Sequence, residues 1–216
     1  SAAAAGDAAP FVGRAAEFAL LSGLVARLGA GNGFTVLIEG EPGIGKSRLL
    51  REIERHARAL GLPTLATHCY EIERATPYQP VLDLVPRALD QVPDFALRTL
   101  APVSLAELAA LVPEITERAP GLPALSNDFP AVRQARLPRA VDQLFEAARG
   151  GRPLILMVDD IQWADMASLE LLTFVAGQVL SDRVLLACSV RQLEVGRNDA
   201  VVEALAASGA ERGYPA

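Results

Sequence analysis

The chain has 216 residues, 51% of them hydrophobic, enough to bury one substantial core, which makes a single α/β domain the expectation. A net charge of −6 argues against a broad electrostatic footprint for nucleic acid or an anionic membrane, so any DNA contact is expected through another segment. Cys69 and Cys188 both sit in apolar runs and argue against a disulfide framework or a metal cluster. No apolar stretch reaches the ~20 residues of a membrane span and no basic-then-apolar leader opens the chain, so a cytoplasmic location is expected.

Residues 1–10, "SAAAAGDAAP", read as a flexible lead-in, and 11–216 as the folded core. Over 15–29, Phe18, Leu21, Leu24, Val25 and Leu28 recur at helical spacing and stop at Gly29. "FTVLIEG" follows as a nearly unbroken apolar run, the pattern of a central parallel strand covered on both faces. A second helix is predicted from about Lys46 to Leu60, with Leu49, Leu50, Ile53, Ala57 and Leu60 inward, ended by Gly61 and Pro63. "TLATHCY" (64–70) reads as a short strand.

From 76 to 138 the texture changes. Ten of the 15 prolines fall there, between short helical pieces such as "SLAELAALV", where Ser104 and Glu107 have capping-box spacing. This stretch reads as an irregular helical insertion that adds no central strand, because proline removes ladder donors. A longer helix over about 131–148 carries Val132, Val141, Leu144, Phe145 and Ala148 on one side, with Pro138 as a kink site. "PLILMVDD" then reads as a buried strand ending in two acids, "MASLELLTFVAGQVL" as a helix capped by Asp165, and "RVLLACSV" as another buried strand. Strands alternating with helices predict a doubly wound parallel sheet.

Between the first strand and second helix, Gly40-Glu41-Pro42-Gly43-Ile44-Gly45-Lys46-Ser47 fits the phosphate-loop pattern G-x-x-x-x-G-K-S/T in the context it requires. Gly43 and Gly45 let backbone amides converge on phosphates, and the following helix aims its positive end at the same place. Lys46 can reach β- and γ-phosphates, and the Ser47 hydroxyl can ligate Mg²⁺. Arg48 completes the nucleotide-binding segment. Asp159 and Asp160 form the second constellation: Asp159 would hold Mg²⁺ directly or through water, while Asp160 would polarise the attacking water. Asp159 lies 113 residues beyond Lys46, with another strand between, so the acid strand is not expected to neighbour the phosphate strand. The fold expected is therefore a three-layer P-loop NTPase of the inserted-strand, additional-catalytic-acid type, with a helical insertion. His56 and His68 have no ligand-spaced partner and read as poor metal candidates. Trp163 reads as a packing anchor rather than a base-stacking platform.

Three segments, "FVGRAAEFALL", "EGEPGIGKSRLL" and "LILMVDDIQWADMASLELL", resemble the STAND branch of the AAA-related P-loop ATPases, and most of all the ATPase module of large LuxR-type (MalT-like) transcriptional regulators. The likeness spans residues 11–191. It implies that Phe11, Val12, Gly13 and Arg14 line adenine and ribose, the competing reading being a strap that packs Phe11 and Val12 into the core. It also implies that Arg191 senses nucleotide, the competing reading being a solvated loop arginine. The cofactors it implies are ATP or ADP with Mg²⁺; no N-K-x-D guanine-reading motif is present.

The same resemblance leads one to expect a lid, sensor repeats and a C-terminal helix-turn-helix beyond this chain, which then reads as a truncated ATPase core touching DNA only through an absent domain. The expected function is an ATP-binding, slowly hydrolysing switch that self-associates in its ATP state. The alternatives are a nucleotide-holding scaffold without turnover, a regulatory ATPase module of another signalling protein, or a housekeeping ATPase or kinase, for which no acceptor site is legible.

Overall fold

The computed structural model of the chain describes residues 13–125, 130–191, 205 and 211–212. The apolar run after the first loop forms β1 (Phe34–Gly40), buried along its whole length except at half-buried Glu39. Two further runs with no polar face form β3 (Leu154–Asp159) and β4 (Val184–Arg191), and β2 (Thr64–His68) and the short β5 (Glu211–Arg212) complete a parallel sheet in the order β2-β3-β4-β1-β5. Strands apolar on both faces need cover on both, and they have it.

Alternation along the strands divides the core in two. Val36, Ile38, Ile155, Met157, Leu185 and Ala187 face α1 (Ala15–Leu28) and α2 (Lys46–Ala59). Leu37, Leu65, Leu154, Leu156, Val158, Leu186 and Cys188 face the opposite layer. That layer contains α3 (Gln79–Leu89), α4 (Asp94–Leu97), α5 (Pro102–Ala109), α6 (Glu114–Arg118), α7 (Pro130–Arg149) and α8 (Met166–Asp182). Side chains such as Ile155 and Leu156, at 0% exposure, each contribute about 1.5–3 kcal/mol of transfer free energy. The register sets β4 between the other two long strands: Phe34–Gly40 pairs with Leu185–Arg191, and Leu154–Val158 with Val184–Cys188. The acid strand is thus one strand removed from the phosphate strand, as the spacing predicts.

The insertion is helical, and its prolines explain how. Pro80 and Pro102 lie in the first turns of α3 and α5, Pro130 opens α7, and Pro93 and Pro113 are the N-caps of α4 and α6. Proline starts helices readily because its missing N–H falls where no intrahelical acceptor exists. Pro86 and Pro138 lie inside helices, which run through them.

Two local expectations are corrected. Ser104 and Glu107 form no capping box: α5 begins at Pro102 with Ala101 as N-cap, so Ser104 lies inside the first turn and Glu107 is buried, its Oε1 3.9 Å from Arg136 Nη1. Leu60 is 56% exposed, not inward, because α2 stops at Ala59 and Gly61 turns the chain through a positive φ of 72° toward β2. Val132 lies outside the residues whose side chains are described. Both cysteines are free and buried; burial, with Asp159 and Asp160 nearby, pushes the Cys69 thiol up to about 12, and burial raises Cys188 too. Among the described residues no helix is long and apolar enough to cross a membrane.

The Asp165 cap forms as expected, its Oδ1 accepting from Ser168 N at 2.9 Å and its other oxygen from the Ser168 hydroxyl. Asp165→Ala should therefore lower the unfolding free energy by about 1 kcal/mol or more, while Ser104→Ala, which removes no cap, should change it by less than ~0.5 kcal/mol. Urea unfolding of the two variants checks this; equal losses would contradict the assignment of the caps.

Candidate nucleotide site

β1 ends at Gly40, and the chain turns through Glu41–Gly45 into α2. Gly43 (φ 82°) and Gly45 (φ 97°) hold left-handed conformations, and a Cβ built on either would meet nothing within 4 Å. Glycine is required here by the backbone, and the space beside both residues stays open. No side chain caps α2, so its first amides point outward, concentrating positive potential at the loop. Glu41 and Pro42 are exposed and Ile44 is 38% exposed, while Arg48 lies half-buried on α2 with Nε 3.9 Å from Glu52.

Lys46 is 6% exposed and folds back along the loop, donating to Gly40 O (2.9 Å) and Glu41 O (3.0 Å). Burial lowers its pKa; Asp160 and Asp159 oppose that, and Arg191 and Arg14 add to it. Arg14 is buried too, donating to Ile44 O at 3.0 Å and to Glu17 at 3.2 Å, so the segment before α1 is tied directly to the phosphate loop. Gly13 is exposed beside it with φ 88°. Phe11 and Val12 lie outside the described residues.

The parallel register carries the other groups to the same edge of the sheet. Gly40 is paired with Arg191, and His68 with Asp159. The chain leaves β3 through Asp160, whose φ of 54° is left-handed, so consecutive acids aim differently. Ser189, fully buried on β4, holds both: its hydroxyl accepts from Asp160 N at 2.8 Å and donates to Asp159 Oδ1. His68 Nδ1 lies 3.1 Å from Asp159 Oδ2. Asp160 Oδ2 accepts from Arg191 Nη2 (3.0 Å), and Oδ1 from Gln162 Nε2 (3.1 Å) and Arg191 Nε (3.4 Å). Burial alone would raise the Asp160 carboxyl, but hydrogen bonds from Arg191 and Gln162, with the Arg191 charge, hold it below the usual carboxylate range. Trp163 is 8% exposed and part of the core, as a packing anchor should be, with the Arg191 guanidinium 5.9 Å from its ring centre.

Ser47 and Asp159 line one cleft of about 370 Å³ together with His68, Arg51 and Tyr70. Among the described residues no group of three or more His, Cys, Asp and Glu could hold a metal. One hydroxyl and one carboxylate beside an open phosphate cradle suit Mg²⁺, which keeps several waters and completes its shell with phosphate oxygens. His68, Ser189 and Gln162 escape the sequence reading. The partner of His68 is 91 positions away, Ser189 sits unmarked in an apolar strand, and Gln162 shows no motif spacing.

A family model described as "AAA ATPase domain" matches residues 10–186. An uncharacterized protein of Rhizobium meliloti (strain 1021) is 30% identical over 195 residues, 84% of this chain and 18% of that protein, so the chain spans under a fifth of the length of this curated relative. Among solved structures, a DNA replication initiation factor aligns with TM-score 0.46 and 14% identity, covering 96% of this chain and 47% of that one. The structure titled Drosophila ORC bound to AT-rich DNA and Cdc6 aligns with TM-score 0.42 and 12% identity, covering 93% of this chain and 58% of that one. The phosphate loop and the acid pair both fall within the matched residues, and the chain belongs to the AAA ATPase domain family.

Proposed function

We propose that this ATPase domain binds ATP with Mg²⁺ and hydrolyses it slowly to ADP and phosphate, as the switch of a LuxR-type transcriptional regulator. The observation that carries the nucleotide chemistry is the convergence of Lys46, Ser47, Asp159, Asp160 and Arg191 at the carboxyl ends of adjacent strands. The open glycine loop and the uncapped start of α2 receive the phosphates, and Lys46, with its ammonium on the loop carbonyls, supplies a positive charge there. Ser47 and Asp159 would hold Mg²⁺, which when bound neutralises charge on the phosphate oxygens. Asp160 is the group suited to accept a proton from the attacking water, since its surroundings keep it ionised.

Both Asp160 oxygens already accept hydrogen bonds, from Arg191 and Gln162, which supports slow rather than fast turnover. Arg191 lies between that acid and the end of β1, a position suited to exchanging one anionic partner for another as the phosphates change. Gly13 and Arg14, with Phe11 and Val12 before them, would border the base and ribose; the Arg14 bond to Ile44 O supports placing this strap against the loop. The regulator role rests on the likeness of the three segments to LuxR-type regulators. In that role the ATP-bound full-length protein self-associates and DNA is read by a part outside this chain.

Lys46→Ala should abolish ATP binding measured by calorimetry while leaving the fold intact, because it removes the ammonium that lies on the Gly40 and Glu41 carbonyls where the phosphates would sit. Unchanged affinity would contradict the phosphate-loop assignment.

The two acids should differ in kind. Asp160→Asn should keep ATP affinity and lower turnover by on the order of 10²-fold, the loss expected from a positioned base. Asp159→Asn should weaken the Mg²⁺-dependent part of binding. Binding titrations with and without Mg²⁺, paired with phosphate-release rates, separate them; matching phenotypes or normal turnover by Asp160→Asn would overturn the assignment of the acids, and binding without any turnover by the unsubstituted protein would leave a nucleotide-holding scaffold as the better reading.

A further inference from the structure

We propose that Gln162 is a positioning residue, which fixes the Asp160 carboxylate against the end of β4 by bridging it to the backbone of Arg191. The inference rests on the reading of Asp160 as the acid that acts on the attacking water. Asp160 leaves β3 in a left-handed conformation, and the short 3₁₀ turn Ile161–Trp163 brings the chain back beneath it. Gln162 therefore points at the carboxylate two residues before it. It is 4% exposed, so its amide has left water and must find partners in the protein. It has one on each side: Nε2 donates to Asp160 Oδ1 at 3.1 Å, and Oε1 accepts from Arg191 N at 3.3 Å.

The chemistry of those partners fixes the amide's orientation. A carboxylate can only accept and a backbone N–H can only donate, so turning the amide over would set acceptor against acceptor and donor against donor. A residue that merely filled this space would need no such polarity. Ile161 and Trp163, its neighbours in the turn, are buried and apolar, and an apolar side chain of similar size would avoid the desolvation of the amide. What the amide adds is a second attachment for the acid. Arg191 holds Asp160 through a long side chain that also carries charge toward the phosphate edge. Gln162 holds the same carboxylate to the β4 backbone, whose Arg191 is paired with Gly40 at the start of the phosphate loop. The acid is thereby fixed relative to that loop whichever way the Arg191 guanidinium turns.

The test is a set of variants in the full-length protein, Gln162→Leu and Gln162→Glu, each alone and combined with Asp160→Asn, with ATP affinity by calorimetry, turnover by phosphate release and folding by thermal unfolding. Gln162→Met, unbranched and of similar length, replaces the Leu variant if that one does not fold. The expected result is ATP affinity within about threefold of wild type and turnover lowered on the order of ten- to a hundredfold, the range for losing one hydrogen bond to a charged group. Gln162→Glu should lose more than Gln162→Leu, since it sets a second carboxylate against Asp160. In the Asp160→Asn background the Leu substitution should cost no more than about twofold, because residues acting as a unit are not additive. Three results would overturn the proposal: unimpaired turnover in the Gln162 variants, the same loss in both backgrounds, or a milder effect from the isosteric Glu, which is the order a space-filling role gives. Impaired Asp160→Asn with unimpaired Gln162 variants defeats this inference alone, whereas normal turnover by Asp160→Asn defeats the Asp160 reading and takes this inference with it.

Discussion

β4 is hydrogen-bonded to both β1 and β3, and the site depends on that pairing more than on any single side chain. Parallel strands in register end at the same edge, so the backbone ladder alone sets Gly40 beside Arg191 and delivers the Asp159–Asp160 pair one strand further on. The apolar faces of the sheet hold this register: a slip of one residue would turn Val36 and Ile38 away from α1 and α2 and bring Leu37 into their place. Packing thus fixes relative positions that the polar groups alone could not enforce.

Within that frame, two adjacent carboxylates acquire different surroundings. Asp159 continues the strand and meets His68 and Ser189, whereas Asp160 turns left-handed and meets Arg191 and Gln162. Ser189 marks the division, accepting from the backbone of one acid and donating to the side chain of the other. Two like charges in neighbouring positions would disfavour each other's ionisation unless each had cationic or donor partners of its own. Separate partners would allow the separate tasks proposed for the two acids, and the depressed pKa of Asp160 is the electrostatic trace of that arrangement.

Much of this is legible in the sequence. Unbroken apolar runs identified β1, β3 and β4 because a strand buried on both faces has no polar side to show. The phosphate loop was legible because its chemistry is local: glycines, lysine and serine act within eight consecutive positions. The distance between Lys46 and Asp159, with a strand inside it, also indicated that the acid strand does not neighbour the phosphate strand, although the strand that separates them in the sheet is β4 and not the β2 that lies between them in sequence. What stayed hidden was contact between distant segments. His68 has no ligand-spaced neighbour in the chain, yet strand pairing sets it against Asp159. Ser104 and Glu107 had the right spacing for a cap, but Pro102 starts the helix two residues earlier. Within the proline-dense stretch, Pro80, Pro93, Pro102, Pro113 and Pro130 stand at helix starts, since the same residue that breaks a ladder also opens a helix.

The proposed function requires that these strand ends form one site that hydrolyses the nucleotide it binds. A single-turnover experiment tests it most directly: full-length protein in excess over labelled ATP with Mg²⁺, chased with unlabelled ATP, and the bound label followed over time. The expected result is that the bound label is converted to ADP and phosphate before it can be chased off. Release of the label as intact ATP, with no ADP formed on the protein, would contradict it.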